Sequence, residues 1–143
     1  MGKPKIDVVA AILERDGRFL LGKRSLHKTA PGYWCPISGR IEPGESQAAA
    51  VVREVNEEVG LAARALEKVA ECDTHDGHAV IHWWRVEPLD AMPARLANDE
   101  HSELVWATVA EMQQLSPIFA EDIAIFAAAA LRTAPGSERP APA

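Results

Sequence analysis

At 143 residues, 48% of them hydrophobic and 25% charged, the chain has the length and composition of one folded domain. Collagen-like, mucin-like and disordered classes are thereby excluded. The 15 Lys and Arg residues face 21 Asp and Glu, a net charge of −6. That balance is poor for gripping a phosphate backbone, where affinity comes from cationic side chains that release counterions. A nucleic acid polymer is therefore not an expected partner, and any handling of a small polyanion points to a metal ion.

In chain order, Ile6 to Leu13 is a β-branched and apolar run, the pattern of a strand buried on both faces. The Asp16-Gly17 pair marks a tight hairpin into a second strand, Phe19 to Gly22. Ser25 to Gly32 reads as a loop, Tyr33 to Ile37 as a short strand broken by Pro36, and Ser38 to Glu45 as an irregular loop. A helix is expected over Gln47 to Val59, capped by Ser46 and ended by Gly60 in the left-handed conformation. Arg64 to Glu71 and Ala79 to Glu87 are strands around the Asp76-Gly77 turn, and Leu104 to Trp106 is a last short strand. Thr108 to Glu111 forms a capping box for a short helix. Pro117 suits the first position of another helix, running to about Leu131. The fold class is thus α/β with a mixed sheet, one domain over residues 1–132, with 133–143 a Pro-rich disordered tail.

The longest apolar stretch, Ile123 to Leu131, is too short to span a bilayer. The first residues lack a signal-peptide apolar core, and Ile6 stands where a myristoylation motif needs Ser or Thr. Cys35 and Cys72 have neither disulfide-framework nor zinc spacing and read as inert packing residues. A soluble cytoplasmic protein with no membrane partner is the expectation.

Chemistry concentrates between Gly39 and Leu61, where Glu42, Glu45, Glu54, Glu57 and Glu58 face only Arg40 and Arg53. On a helix, Glu54, Glu57 and Glu58 stand at i, i+3 and i+4, so they project from one face and repel one another. A positive partner is expected in front of them. Clustered carboxylates are hard oxygen ligands that suit Mg²⁺ or Mn²⁺ better than zinc, and Mg²⁺ takes substrate phosphates as further ligands. A backbone carbonyl at Ser38 or Gly39 is a candidate further ligand, and Arg53 is placed to pair with Glu45 and tie loop to helix.

Gly39, Glu45, Arg53-Glu54-Val55, Glu57-Glu58 and Gly60-Leu61 reproduce a full Nudix box, and the chain resembles the Nudix hydrolase family on these residues. One position departs from the common pattern, where Ser38 precedes Gly39 in place of a second glycine. The resemblance implies a Nudix-type α/β/α sandwich and Mg²⁺- or Mn²⁺-dependent hydrolysis of a nucleoside diphosphate linked to another group. Carried over residue by residue, Glu54, Glu57 and Glu58 are the implied metal-binding carboxylates, with Glu45 and Arg53 their orienting partners. The implied mechanism is attack of a metal-activated water on phosphorus, the metal lowering that water's pKa and neutralising the leaving phosphate. Glu57 is the first choice of base, with Glu100 and Glu103 the loop candidates. A homodimer is common in the resembling family.

Outside the box, Arg24 is a candidate phosphate contact. Tyr33 and Trp34 are candidates to stack on the nucleotide. Trp83 and Trp84 face opposite sides of a strand, so one is expected in the core with Val80 and Val86, and the other, Trp84 by preference, against a nucleobase or a dimer partner. His75, His78 and His82 read as hairpin or surface residues and His101 as a loop residue. The substrate expected is a nucleotide-type small molecule, first of all a standard or damaged nucleoside triphosphate cleaved to the monophosphate and pyrophosphate. A nucleotide sugar or dinucleotide, and a ligand-binding module without turnover, are the alternatives.

Overall fold

The computed structural model describes residues 5–133. Among them seven strands make one mixed sheet, with β1 (Ile6–Arg15) at its centre. β1 runs parallel to β6 (Ala79–Pro88) along one edge, from Ile6↔Ala79 to Leu13↔Val86. Its other edge is divided. Val8 to Ala11 pair antiparallel with β4 (Ile37–Arg40), whereas Glu14 and Arg15 pair with β2 (Arg18–Arg24) through the Asp16-Gly17 hairpin. Both turn residues have positive φ, as a two-residue hairpin that follows the strand twist requires. β2 in turn pairs with β3 (Trp34–Cys35) and β7 (His101–Ala107), and β5 (Ala63–Asp73) lies beyond β6.

Period-2 alternation along β1 sends its side chains into two separate cores. Val9, Ala11 and Leu13 join Leu20 and Ile37 beneath α1 (Gln47–Val59), which contributes Ala50, Val51, Val55 and Val59. Ala10 and Ile12 join Phe19, Leu21, Trp34 and Trp83 on the opposite face. That face is closed by α2 (Val109–Met112) and α3 (Ala120–Thr133) through Met112, Phe126 and Ala129. β1 therefore reads as a continuous apolar run because both of its faces are covered.

α1 starts and stops where its local sequence directs. The Ser46 hydroxyl accepts from the Ala49 N–H, and Gly60 adopts the left-handed conformation at φ 72°. The Thr108/Glu111 capping box is present with both reciprocal bonds.

Three expectations are corrected. Ser38 to Arg40 belong to β4 and not to a loop, because their backbone pairs with β1 in the middle of the sheet. The last strand extends back to His101, since β2 is long enough to pair with all of it. The helix expected from Pro117 begins at Ala120, because the preceding backbone is drawn to β3: the Pro117 carbonyl accepts from the Trp34 N–H and Ile118 bridges to Trp34. Of the expected tail, Thr133 is helical and 134–143 lie outside the described residues. No helix among the described residues is long and apolar enough to cross a membrane.

Candidate active site

α1 brings Glu54 and Glu58 together on the face that looks across β4 and β2. Glu54 rests against Gly39 of β4, and a Cβ on that glycine would overlap its carboxylate. Glu58 is 1% exposed, its Oε1 hydrogen-bonded with His101 Nε2 at 2.8 Å. Its Oε2 is buried and meets no N–H or O–H donor. Burial first, then the facing Glu58 carboxyl, raises Glu54 to a pKa of about 8, outweighing an Arg53 guanidinium only 3.2 Å away. Burial raises Glu58 to about 8 as well, with the nearby Glu100 charge acting in the same direction. Two desolvated carboxylates in contact require either a proton or a cation between them. The pair, with its donorless oxygen, is a hard-oxygen seat that fits a divalent cation. Glu57 lies on the same helical face but is half-exposed and turned to Arg53 Nη1 at 3.1 Å. Among the described residues no three acidic, His or Cys side chains converge on a single point.

Arg53 organises the approach to this pair. Its Nε and Nη2 grip Glu45 at 2.7 and 2.9 Å, and Nη2 also donates to the Arg40 carbonyl at 3.0 Å. The expected Glu45–Arg53 pairing is therefore present and bidentate, and Arg53 hydrogen bonding holds Glu45 down at about 2. Glu45 Oε1 also accepts from the Glu42 N–H, which fixes the loop between β4 and α1. Ser38 sits on β4 one residue before Gly39.

The connection from β6 to β7 closes the other side. The N–H groups of Arg95 and Ala97 donate to the Val59 and Glu58 carbonyls, satisfying acceptors that a helix end leaves open. Glu100 then faces Lys28 at 2.9 Å, and Ser25 donates from its N–H to the Glu100 carbonyl and from its hydroxyl to the Asp99 carbonyl. These bonds clip the loop after β2 to the loop before β7. Glu100 is thus brought near the carboxylate pair, and its charge is felt at Glu58. Glu103 is not: it pairs with Lys23 on the other face of the sheet. The reason is a bulge. Lys23 faces Glu103 while Arg24 faces His101, so Ser102 is an extra residue that turns His101 and Glu103 to opposite faces.

Arg24 points toward the site but is partly engaged, bonding the Thr29 carbonyl and hydroxyl and approaching the Cys35 thiol at 3.9 Å. Its charge still reaches Glu58 and His101. Tyr33 stacks on Phe119 with centroids 4.5 Å apart. Trp34 is a core residue of the face covered by α3, as Ile118 and the neighbouring chain cover it. Both members of the Trp83-Trp84 pair are packed. Trp83 is fully buried, away from Val86, and Trp84 lies under α1 with its indole N–H donated to Gln47.

Sequence reasoning passed over several groups here. His101 is no loop residue but a strand residue, 6% exposed and kept neutral by burial, with its pKa lowered to about 4. His82 is buried too, held by Asp7 at 2.9 Å and by Lys68 and Glu71, because β1 and β5 flank it with charges. Asp122, in the first turn of α3, has its carboxyl raised to about 7 by burial. The Cys35 thiol is pushed up to about 12, also by burial, in keeping with an inert role. Only the Glu-His adjacency at 100–101 offered a sequence signal for His101.

Comparison with known proteins gives a consistent outcome. A NUDIX domain family model matches residues 3–129. The chain is 40% identical over 132 residues to the CTP pyrophosphohydrolase of Escherichia coli K12, covering 90% of this chain and 95% of that one. It is 31% identical over 111 residues to a protein named putative 8-oxo-dGTP diphosphatase 2 from Mycobacterium tuberculosis H37Rv, covering 76% and 77%. The solution structure of the E. coli ORF135 protein superposes with a TM-score of 0.70 at 36% identity, covering 94% of this chain and 95% of that one.

Proposed function

Since the chain belongs to the Nudix hydrolase family, we propose that it cleaves a nucleoside triphosphate to the monophosphate and pyrophosphate, aided by a divalent cation seated on Glu54 and Glu58. The observation that carries the reading is the buried Glu54–Glu58 pair with its donorless Oε2. Mg²⁺ or Mn²⁺ bound there supplies charge neutralisation for the phosphates and a water of lowered pKa. It also lets an acidic chain hold a polyanion.

The protein's own residues do the rest. Arg53 holds Glu45, the β4 carbonyl and Glu57 in one frame. Glu57, half-exposed on the reacting face, takes the proton from the attacking water, with Glu100 the second candidate. Arg24 and Lys28 add positive charge at the mouth of the site. The aromatic surface of Tyr33 and Phe119 offers the nucleobase a stacking face. The triphosphate preference rests on the names of the two relatives and on the near-complete coverage of the CTP pyrophosphohydrolase.

The test is product analysis by mass spectrometry on CTP, other standard and oxidised nucleoside triphosphates, nucleotide sugars and dinucleotides, with Mg²⁺ or with EDTA. Monophosphate and pyrophosphate from a triphosphate, lost with EDTA and in Glu58→Gln, is the expected result. Turnover of conjugates alone would move the assignment to a nucleotide-sugar or dinucleotide pyrophosphatase. Tight binding of a triphosphate without turnover would make the chain a binding module. Glu57→Gln is expected to lower kcat roughly 10²–10⁴-fold, the usual worth of a positioned base, and an equal loss in Glu100→Gln alone would transfer that role.

A further inference from the structure

We infer that His101 is a positioning residue that fixes the Glu58 carboxylate in the rotamer presenting its free oxygen to Glu54. The inference rests on the reading of Glu54 and Glu58 as the cation seat.

Three observations converge on it. First, the contact is dry: His101 is 6% exposed and Glu58 1%, with Nε2 2.8 Å from Oε1. With Glu58 ionised, as a seated cation requires, its oxygens only accept, so the hydrogen lies on Nε2 and the imidazole sets which Glu58 oxygen is occupied. Oε2 is the one left without a donor.

Second, the ring has room only because residue 22 is glycine. A Cβ there would overlap the imidazole, and Gly22 lies in the interior of β2, where glycine weakens a strand. The chain accepts that weakness at the one position the ring rests upon.

Third, the bulge at Ser102 is what aims His101 inward. Without the extra residue, His101 and Glu103 would share a face, and Glu103 lies on the face away from α1. The same segment also secures Glu58 through its backbone, by the bond from the Ala97 N–H to its carbonyl. Side chain and main chain of Glu58 are thus both held from the β6–β7 connection. A histidine that merely filled space would need neither a donor aimed at a carboxylate nor a bulge to aim it. Outer-sphere partners of this kind orient the ligand and tune its basicity.

The test is Mn²⁺ titration of the nucleotide-free protein, followed by the electron paramagnetic resonance signal of the free ion, alongside steady-state kinetics. His101→Phe keeps a ring over Gly22 and removes the donor. It is expected to bind Mn²⁺ about 10–100-fold more weakly, with kcat reduced by a similar factor. Because His101 is 6% exposed and is proposed to act through Glu58, KM is expected to stay within about twofold. His101→Gln, which retains an N–H donor, is expected to recover most of both losses. Mn²⁺ affinity in His101→Phe equal to wild type would overturn the inference, as would His101→Gln and His101→Phe that are equally impaired. Should His101→Phe fail to fold, Gly22→Ala crowds the ring from its other side, and unchanged Mn²⁺ affinity there would overturn the inference. Glu58→Gln separates the two readings. Wild-type affinity in that variant would sink the cation seat itself, whereas a loss in Glu58→Gln with none in His101→Phe would sink only the role of His101.

Discussion

Gly39 carries no side chain, and the Glu54 carboxylate rests in the space a Cβ would take. Its φ lies outside the left-handed region, so the backbone accepts alanine and only the carboxylate must move. Gly39→Ala is therefore expected to weaken Mg²⁺ affinity by roughly tenfold or more while leaving the circular dichroism spectrum unchanged. Isothermal titration of the nucleotide-free variant would check it. Arg53 makes a different demand, because it serves Glu45, Glu57 and the Arg40 carbonyl from one planar fork. A lysine offers a point charge without that geometry. Arg53→Lys is expected to lower kcat/KM by about 10–100-fold, as loss of an orienting contact does, and activity near wild type would show that charge alone suffices. The Glu45–Arg53 contact was legible in the sequence because loop and helix are consecutive and eight residues bring them face to face. His101 was not, because its direction depends on a bulge that only the pairing of β2 with β7 creates. The same bulge explains why Glu103, an equally good acid by sequence, points elsewhere.

Helix α1 was legible to the residue at both ends, since Ser46 and Gly60 act through bonds within one turn. The start of α3 was not. Pro117 fits a helix start anywhere, but here its carbonyl is claimed by the distant Trp34 N–H, and the helix waits until Ala120. Alternation correctly set Trp83 and Trp84 on opposite faces: Trp83 is fully buried, while Trp84 is only partly buried against the core beneath α1. The first turn of α3 carries a measurable consequence. Burial raises the Asp122 carboxyl to about 7 from an ordinary 3.8. Between those values the folded chain holds a proton that the unfolded chain has released, so this group's contribution to stability falls as pH rises through the window. Asp122→Asn removes that loss. In metal-free buffer its melting temperature is expected to match wild type near about pH 4 and to exceed it near about pH 8, the gap opening between the two. A gap constant with pH would mean that Asp122 titrates normally in the folded protein.

For the whole molecule, a net charge of −6 and a pair of desolvated carboxylates lead us to expect that the proposed divalent cation also stabilises the fold. A ligand that binds only the folded state at about 100 times its Kd adds about 2.7 kcal/mol. For a chain of this size that corresponds to roughly 5–10 °C in Tm. Differential scanning fluorimetry with Mg²⁺ against EDTA is expected to show such a rise in wild type and none in Glu58→Gln. Equal rises in both would place the stabilising ion elsewhere. That β1 is covered on both faces was legible in its continuous apolar run, whereas the sandwich of two helical covers was implied by the family resemblance. The order of strands was not legible, since nothing local tells Ile6 that its neighbour is Ala79.

That last pairing bears on time. The central strand is flanked by a partner reached only after more than half the chain has been made, and its other edge is shared by two strands. Each hairpin can form early, but the pairing that carries both cores requires the closure of a long loop, whose entropy is lost before any contact compensates it. Refolding is accordingly expected to be limited by topology and slower than that of a helical bundle. Glu58 and the strand that bears His101 straddle that closure, so with the cation seated as proposed an ion can report on it: competence to bind Mn²⁺ is expected to arrive with the last cooperative step and not with the first helical signal.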